Sequence, residues 1–76
     1  MASIYNSDYQ EVIGLLKKAR QDKGITQVQL AELLGKPQSF VAKFESGERR
    51  LDVVEFARIA KLLDVSALET LNKIFK

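Results

Sequence analysis

Thr26-Gln27-Val28-Gln29-Leu30-Ala31-Glu32-Leu33-Leu34-Gly35-Lys36-Pro37-Gln38-Ser39-Phe40-Val41-Ala42-Lys43-Phe44-Glu45-Ser46-Gly47 reads as two short helices joined by a tight Gly35-Lys36-Pro37 turn. Helices of about two turns are not stable alone in water, so each needs neighbours packed on one face. Thr26 and Gln29 have the spacing of a capping box, in which a side-chain oxygen and a residue three positions on satisfy two orphan N–H groups. Gly35 suits a left-handed close of the first of these helices. Lys36, preceding a proline, is pushed toward an extended conformation. Pro37 has no N–H to lose and sits at or just before the start of the second helix. Gly47 closes that helix as Gly35 closes the other.

The same punctuation continues outward. Ser7-x-x-Gln10, Asp52-x-x-Glu55 and Ser66-x-x-Glu69 have the pattern of further capping boxes, and Gly24 that of a further C-terminal cap. The spacing predicts five helices, over about 8–23, 26–34, 37–45, 52–63 and 66–75, in a single all-α domain spanning residues 1–76. Residues 1–6 are expected to be loose or packed through Ile4 and Tyr5. Val53-Val54 is β-branched, but it opens a helical spacing through Phe56, Ile59, Ala60 and Leu63. The expected core is Val12, Leu16 and Ala19, with Ile13 or Leu15 beside them. Leu30, Ala31 and Leu34 follow, then Val41 and Phe44, then Phe56, Ile59, Ala60 and Leu63, with Leu62 and Val65 closing the bottom.

Composition removes several function classes. Cysteine and histidine are both absent, so no disulfide and no Cys- or His-based metal site can be built, and the fold rests on apolar packing. No apolar run approaches the roughly 18 residues of a membrane span. The start of the chain lacks the basic and apolar regions of a signal peptide, which predicts a cytoplasmic protein. The net charge is only +2. Strong polyanion binders are more basic, whereas a protein using a few placed phosphate contacts, doubled in a dimer, need not be.

The helix after Pro37 has two distinct faces. Advancing about 100° per residue places Phe40, Val41 and Phe44 on one side and Gln38, Ser39, Ala42 and Lys43 on the other. The second set offers a two-way amide, a hydroxyl, a methyl and one cation. These match the major-groove code: Gln to adenine N6 and N7, Lys to guanine O6 and N7, Ser to either, Ala against a thymine methyl. An undistinguished polar surface would present a similar set. Gln27, at the start of the preceding helix, stands where N–H groups and the helix dipole favour a phosphate. Arg49 and Arg50 follow Gly47 in a loop that is either solvated or in reach of the same backbone.

Thr26-Gln27-x-x-Leu30-Ala31-x-x-Leu34-Gly35 followed by Ser39-x-Val41-x-Lys43-x-Glu45-x-Gly47 resembles the helix-turn-helix of phage-repressor and Cro-type (lambda-repressor-like, XRE) DNA-binding proteins. The likeness runs from about Leu15 to Leu71 and includes Phe56-Ala57-x-Ile59-Ala60-x-x-Leu63-x-Val65-Ser66. It implies a compact five-helix bundle whose third helix enters the major groove of double-stranded DNA. By position, Gln38, Ser39, Ala42 and Lys43 would read bases, and Gln27, Lys36, Ser46, Arg49 and Arg50 would face phosphates. Arg20 and Glu45 occupy the places where the family often pairs an arginine with a glutamate, which would clamp the third helix to the scaffold. Phe40 is large and apolar near the groove: it could pack near Leu33, touch a thymine methyl or stand half exposed, and its angle favours packing.

The last helix carries Leu68, Leu71, Ile74 and Phe75, which would either form a symmetric dimer interface or close the bundle. The expected function is a bacterial or phage-encoded, sequence-specific transcriptional regulator acting as a homodimer on a near-palindromic operator, without cofactor. No small-molecule effector site is evident. The alternative is a protein-interaction module, an antirepressor or adaptor, that keeps the fold without specific DNA binding. Nothing in the sequence resembles a nucleophile–base pair, so an enzyme is not expected.

Overall fold

The computed structural model describes residues 2–74, with side chains from Ser7 to Ile74. The elements are α1 (Ala2–Asp22), α2 (Gln27–Leu34), α3 (Gln38–Ser46), α4 (Val53–Leu62) and α5 (Ala67–Asn72), and no strand occurs among the described residues. Two boundaries depart from expectation. The first helix begins at Ala2, so Ser7 and Gln10 lie inside it and do not form a start signal. No Gly or Pro separates Ala2 from Ser7, and a helix once nucleated propagates through such a segment. At the other end α5 stops at Asn72; the chain then tightens into i→i+3 bonds, Lys73 N–H to Thr70 O at 3.2 Å and Ile74 N–H to Leu71 O at 3.0 Å.

The remaining punctuation holds. Thr26 Oγ1 accepts from Gln29 N–H at 3.0 Å, and Gln29 Oε1 accepts from Thr26 N–H at 2.8 Å. Asp52 and Glu55 form the equivalent pair at the head of α4, at 2.7 and 3.0 Å. Ser66 Oγ accepts from Glu69 N–H at 3.1 Å, so the third box expected here forms only by half: the Glu69 side chain does not return to Ser66 N–H. Gly24, Gly35 and Gly47 are all left-handed. In the α2–α3 turn, Gly35 N–H and Lys36 N–H return to Glu32 O and Ala31 O at 3.1 and 3.0 Å. Pro37 then stands extended at the head of α3, and Phe40 N–H bonds its carbonyl at 3.0 Å.

The core is the one expected, with Ile13 rather than Leu15 as the companion of Val12 and Leu16. Leu30, Val41, Phe44 and Ile59 are wholly inaccessible, each such burial favouring the fold by about 1.5–3 kcal/mol. Ala19, Leu34, Leu62 and Val65 pack partly buried around them. Thr70 is buried without having been expected there; its hydroxyl donates to Ser66 O at 2.8 Å, which satisfies it. With Val41 and Phe44 sunk in the core, α3 is fixed in rotation and its opposite face looks outward.

Candidate nucleic-acid interface

That outward face carries Gln38, Ser39 and Lys43 exposed and Ala42 half-buried, in the order the helical spacing requires. The Lys43 ammonium has no ion-pair partner among the described residues. Ser46, at the end of α3, is taken up locally: its hydroxyl donates to Lys43 O at 3.1 Å and accepts from Glu48 N–H at 3.3 Å.

Behind this face runs a chain of polar contacts from the scaffold to the surface. Arg20 Nε and Nη2 donate to Glu45 Oε2 and Oε1 at 2.7 and 3.1 Å. Arg20 Nη1 donates to Ile25 O at 2.7 Å, tying in the loop between α1 and α2. Glu45 Oε1 also accepts from Gln27 Nε2 at 2.9 Å, and Gln27 Oε1 accepts from Gln38 Nε2 at 2.8 Å. Gln27 is therefore half-buried and doubly bonded, a bridge between a buried carboxylate and an exposed amide.

The flanks are less free than their charges suggest. Arg49 donates from Nη1 and Nη2 to the two oxygens of Glu55, at 3.0 and 3.1 Å, and from Nη1 to Arg50 O at 3.1 Å. The Arg49 guanidinium, and after it the Asp52 N–H, holds the Glu55 carboxyl below its ordinary value, and the same pairing raises Arg49. Arg50 lies over the Tyr9 ring at 4.7 Å. The Tyr9 hydroxyl donates to Arg49 O and accepts from Leu51 N–H, both at 3.1 Å, so α1 pins the arginine loop. Burial pushes the Tyr9 phenol up, against the opposing effect of the Leu51 N–H. Neither Tyr9 nor the Arg49–Glu55 pair was anticipated; the capping pattern signalled Glu55 only as the partner of Asp52.

Phe40 is half-buried, its ring edge-on to Phe44 with centroids 5.7 Å apart. It lines a groove with Leu34, Val54 and Ile59 rather than packing near Leu33, which stays 57% exposed. Lys36 is exposed in the α2–α3 turn. On α5, Leu68 is 72% exposed, while Leu71 and Ile74 pack partly buried against the core. Phe75 lies outside the described residues. Among those residues no group of acidic side chains is placed to hold a metal, and no helix is long and apolar enough to cross a membrane.

The profile of the helix-turn-helix family matches residues 16–74. No curated protein matches the chain. A solved structure of an XRE-family like protein from Pseudomonas syringae pv. tomato str. DC3000 is similar, with 46% identity over 95% of this chain and 88% of that one, at a TM-score of 0.86.

Proposed function

The chain belongs to the XRE-type helix-turn-helix family of DNA-binding regulators, and from that premise we propose that it controls transcription by binding a near-palindromic operator as a homodimer, with α3 in the major groove. The run Arg20–Glu45–Gln27–Gln38 carries this reading. The Gln38 amide has two N–H donors and one oxygen. One N–H goes to Gln27. The other N–H and the oxygen remain, and these are the pair that adenine N7 and N6 require. An amide already held in place loses less rotamer freedom when it meets its base.

Ser39, Ala42 and Lys43 complete the reading face. Gln27, Lys36, Arg49 and Arg50 serve the phosphates on either side, and Ser46 joins them only by releasing its one hydroxyl proton from Lys43 O. Arg49 keeps Nε–H and one Nη2–H beyond its bonds to Glu55 and Arg50 O, and these two donors lie side by side as a fork suited to a phosphate. A regulator of this kind works in the cytoplasm, beside its operator.

Selection from genomic fragments tests the proposal. The expected product is a sequence with two related half-sites about one turn apart, roughly 34 Å. Its affinity should fall steeply as salt rises, through counterion release. A selection in which no sequence outcompetes bulk DNA would sink the regulator and leave the protein-interaction module.

A further inference from the structure

We infer that Phe40 is a positioning residue for the DNA backbone: its ring holds the Lys36 ammonium and the Arg49 guanidinium, which come from the segments on either side of α3, as a fixed pair of charges beside the first turn of that helix. The role rests on the DNA-binding reading above; the ring geometry does not. Lys36 Nζ lies over the Phe40 ring 5.5 Å from its centroid, and Arg49 Cζ lies over it at 4.9 Å. Both are inside the roughly 6 Å within which a cation is attracted to an aromatic face. The ring packs against Phe44, a side chain wholly inside the core, at 5.7 Å between centroids and 62° between planes, which limits its motion.

The three residues come from different segments. Lys36 belongs to the turn before α3, Phe40 to its first turn and Arg49 to the loop after it. Lys36 has no ion pair within 4 Å among the described residues; its ammonium is drawn to the ring face and to the field of the Glu55 carboxylate, which lines the same groove. Arg49 is oriented twice, by the ring face and by the Glu55 carboxylate at its far end. Two like charges brought together repel, and the negative face of an aromatic ring offsets part of that repulsion. Leucine at position 40 would fill the groove beside Leu34 and Ile59 but would offer no such face; tyrosine would keep it. Neither cation reads sequence through this arrangement, since phosphate contacts set register and orientation alone.

The test compares wild type, Phe40→Leu and Phe40→Tyr by two readouts. In the free protein, proton NMR should show upfield ring-current shifts of the Lys36 Cε and Arg49 Cδ protons in wild type and Phe40→Tyr, lost in Phe40→Leu. Phe40→Leu should weaken binding to the selected operator and to unrelated DNA alike, on the order of tenfold, with the ratio between them unchanged. Phe40→Tyr should bind like wild type. Unshifted Lys36 and Arg49 protons in wild type overturn the inference whatever the DNA result, and this measurement needs no variant to fold. A folded Phe40→Leu that binds as wild type makes Phe40 a packing residue only. One that loses the operator but keeps unrelated DNA makes it a base reader. Wild-type protein that shows the shifts yet binds no DNA overturns the functional reading, and this role with it.

Discussion

Arg20 and Glu45 meet two atoms to two, Nε to Oε2 at 2.7 Å and Nη2 to Oε1 at 3.1 Å, with side chains only 10% and 3% exposed. The pair joins the last turn of α1 to the last turn of α3, and it also supplies the acceptor for Gln27. A buried ion pair adds little over an apolar pair of the same shape, but removing one partner strands a charge in the interior. Glu45→Ala and Arg20→Met should each therefore destabilise the fold by about 3–5 kcal/mol. The double variant Arg20→Met/Glu45→Leu should lose much less than the sum of the two single losses. Urea unfolding of the four proteins measures this, and additive losses would show that the pair does not act as a unit.

Gln38→Ala should relax base preference at one position of each half-site by about 1–3 kcal/mol. Gln27→Ala touches no base on this reading, yet it frees the Gln38 amide and should blunt preference at the same position. The double variant should then discriminate there no worse than Gln38→Ala alone. Arg49→Ala should weaken all sequences alike and make the salt dependence shallower by about one phosphate contact per half-site. Binding to operators substituted one base pair at a time separates the three behaviours. Gln27→Ala acting at a different position from Gln38→Ala would break the proposed coupling.

The architecture was legible because several local signals agree. Capping pairs at Thr26–Gln29 and Asp52–Glu55, left-handed glycines at 24, 35 and 47 and the apolar spacing all place the same helices. Ser7-x-x-Gln10 misled because the same residues inside a helix have the same spacing, and only the state of the chain before them tells the two cases apart. The outward face of α3 followed from its apolar face. The bridging of Gln27 did not, because its partners lie 18 and 11 residues away and only packing brings them together. Tyr9 reaches the arginine loop across 40 residues, a contact that no local pattern encodes. Arg20 and Glu45 were matched through the family likeness; neither spacing nor composition pairs them.

Two glycines should respond to alanine in opposite directions. Gly14 lies within α1, and a Cβ there would meet nothing within 4 Å. Gly14→Ala should stabilise the protein by about 0.5–1 kcal/mol through the lower backbone entropy of the unfolded chain. Gly47 is left-handed at φ 83, and a Cβ there would lie 2.5 Å from Gln10 Nε2. The left-handed conformation alone costs an ordinary L-residue about 1–2 kcal/mol. The Gln10 amide is the end of a flexible side chain and can move aside, so trimming it in Gln10→Ala should recover little of the loss. Thermal melts of the single and double variants decide both points; a Gly14→Ala protein that melts lower than wild type would contradict the first.

Glu55 gives the arginine loop an acid-sensitive clamp. Its folded value lies below 4.5, chiefly because Arg49 donates to it and secondly because the Asp52 N–H does. A carboxyl whose value is lowered by folding contributes its full stability above the unfolded value and loses it as pH falls through the folded one. The contribution should therefore persist at neutral pH and fade as pH drops below about 4.5. Other carboxylates titrate nearby, so the diagnostic quantity is the difference between wild type and Glu55→Gln. That difference should be constant above about pH 5 and shrink below it. Urea midpoints taken across this range provide it, and curves that stay parallel to pH 3 would mean that Glu55 does not contribute through its charge.

The proposed dimer turns on Leu68. Leu71 and Ile74 lean partly into the bundle, whereas Leu68 projects from α5 at 72% exposure. One exposed leucine is ordinary on a protein surface. Leu68 matters here because a reader of a single half-site binds weakly, and symmetric pairing doubles its contacts on a palindrome. An interface around a two-fold axis places the same patch on both partners, so Leu68→Glu would bury a carboxylate from each side without a counter-charge. The variant should sediment as a monomer and bind the two-half-site operator at least about tenfold more weakly, while its affinity for an isolated half-site stays that of wild type. Sedimentation and titration with both DNAs measure these effects. Wild type that remains monomeric at high micromolar concentration, or Leu68→Glu that loses half-site and full-site binding equally, would remove α5 from the function and leave it closing the core.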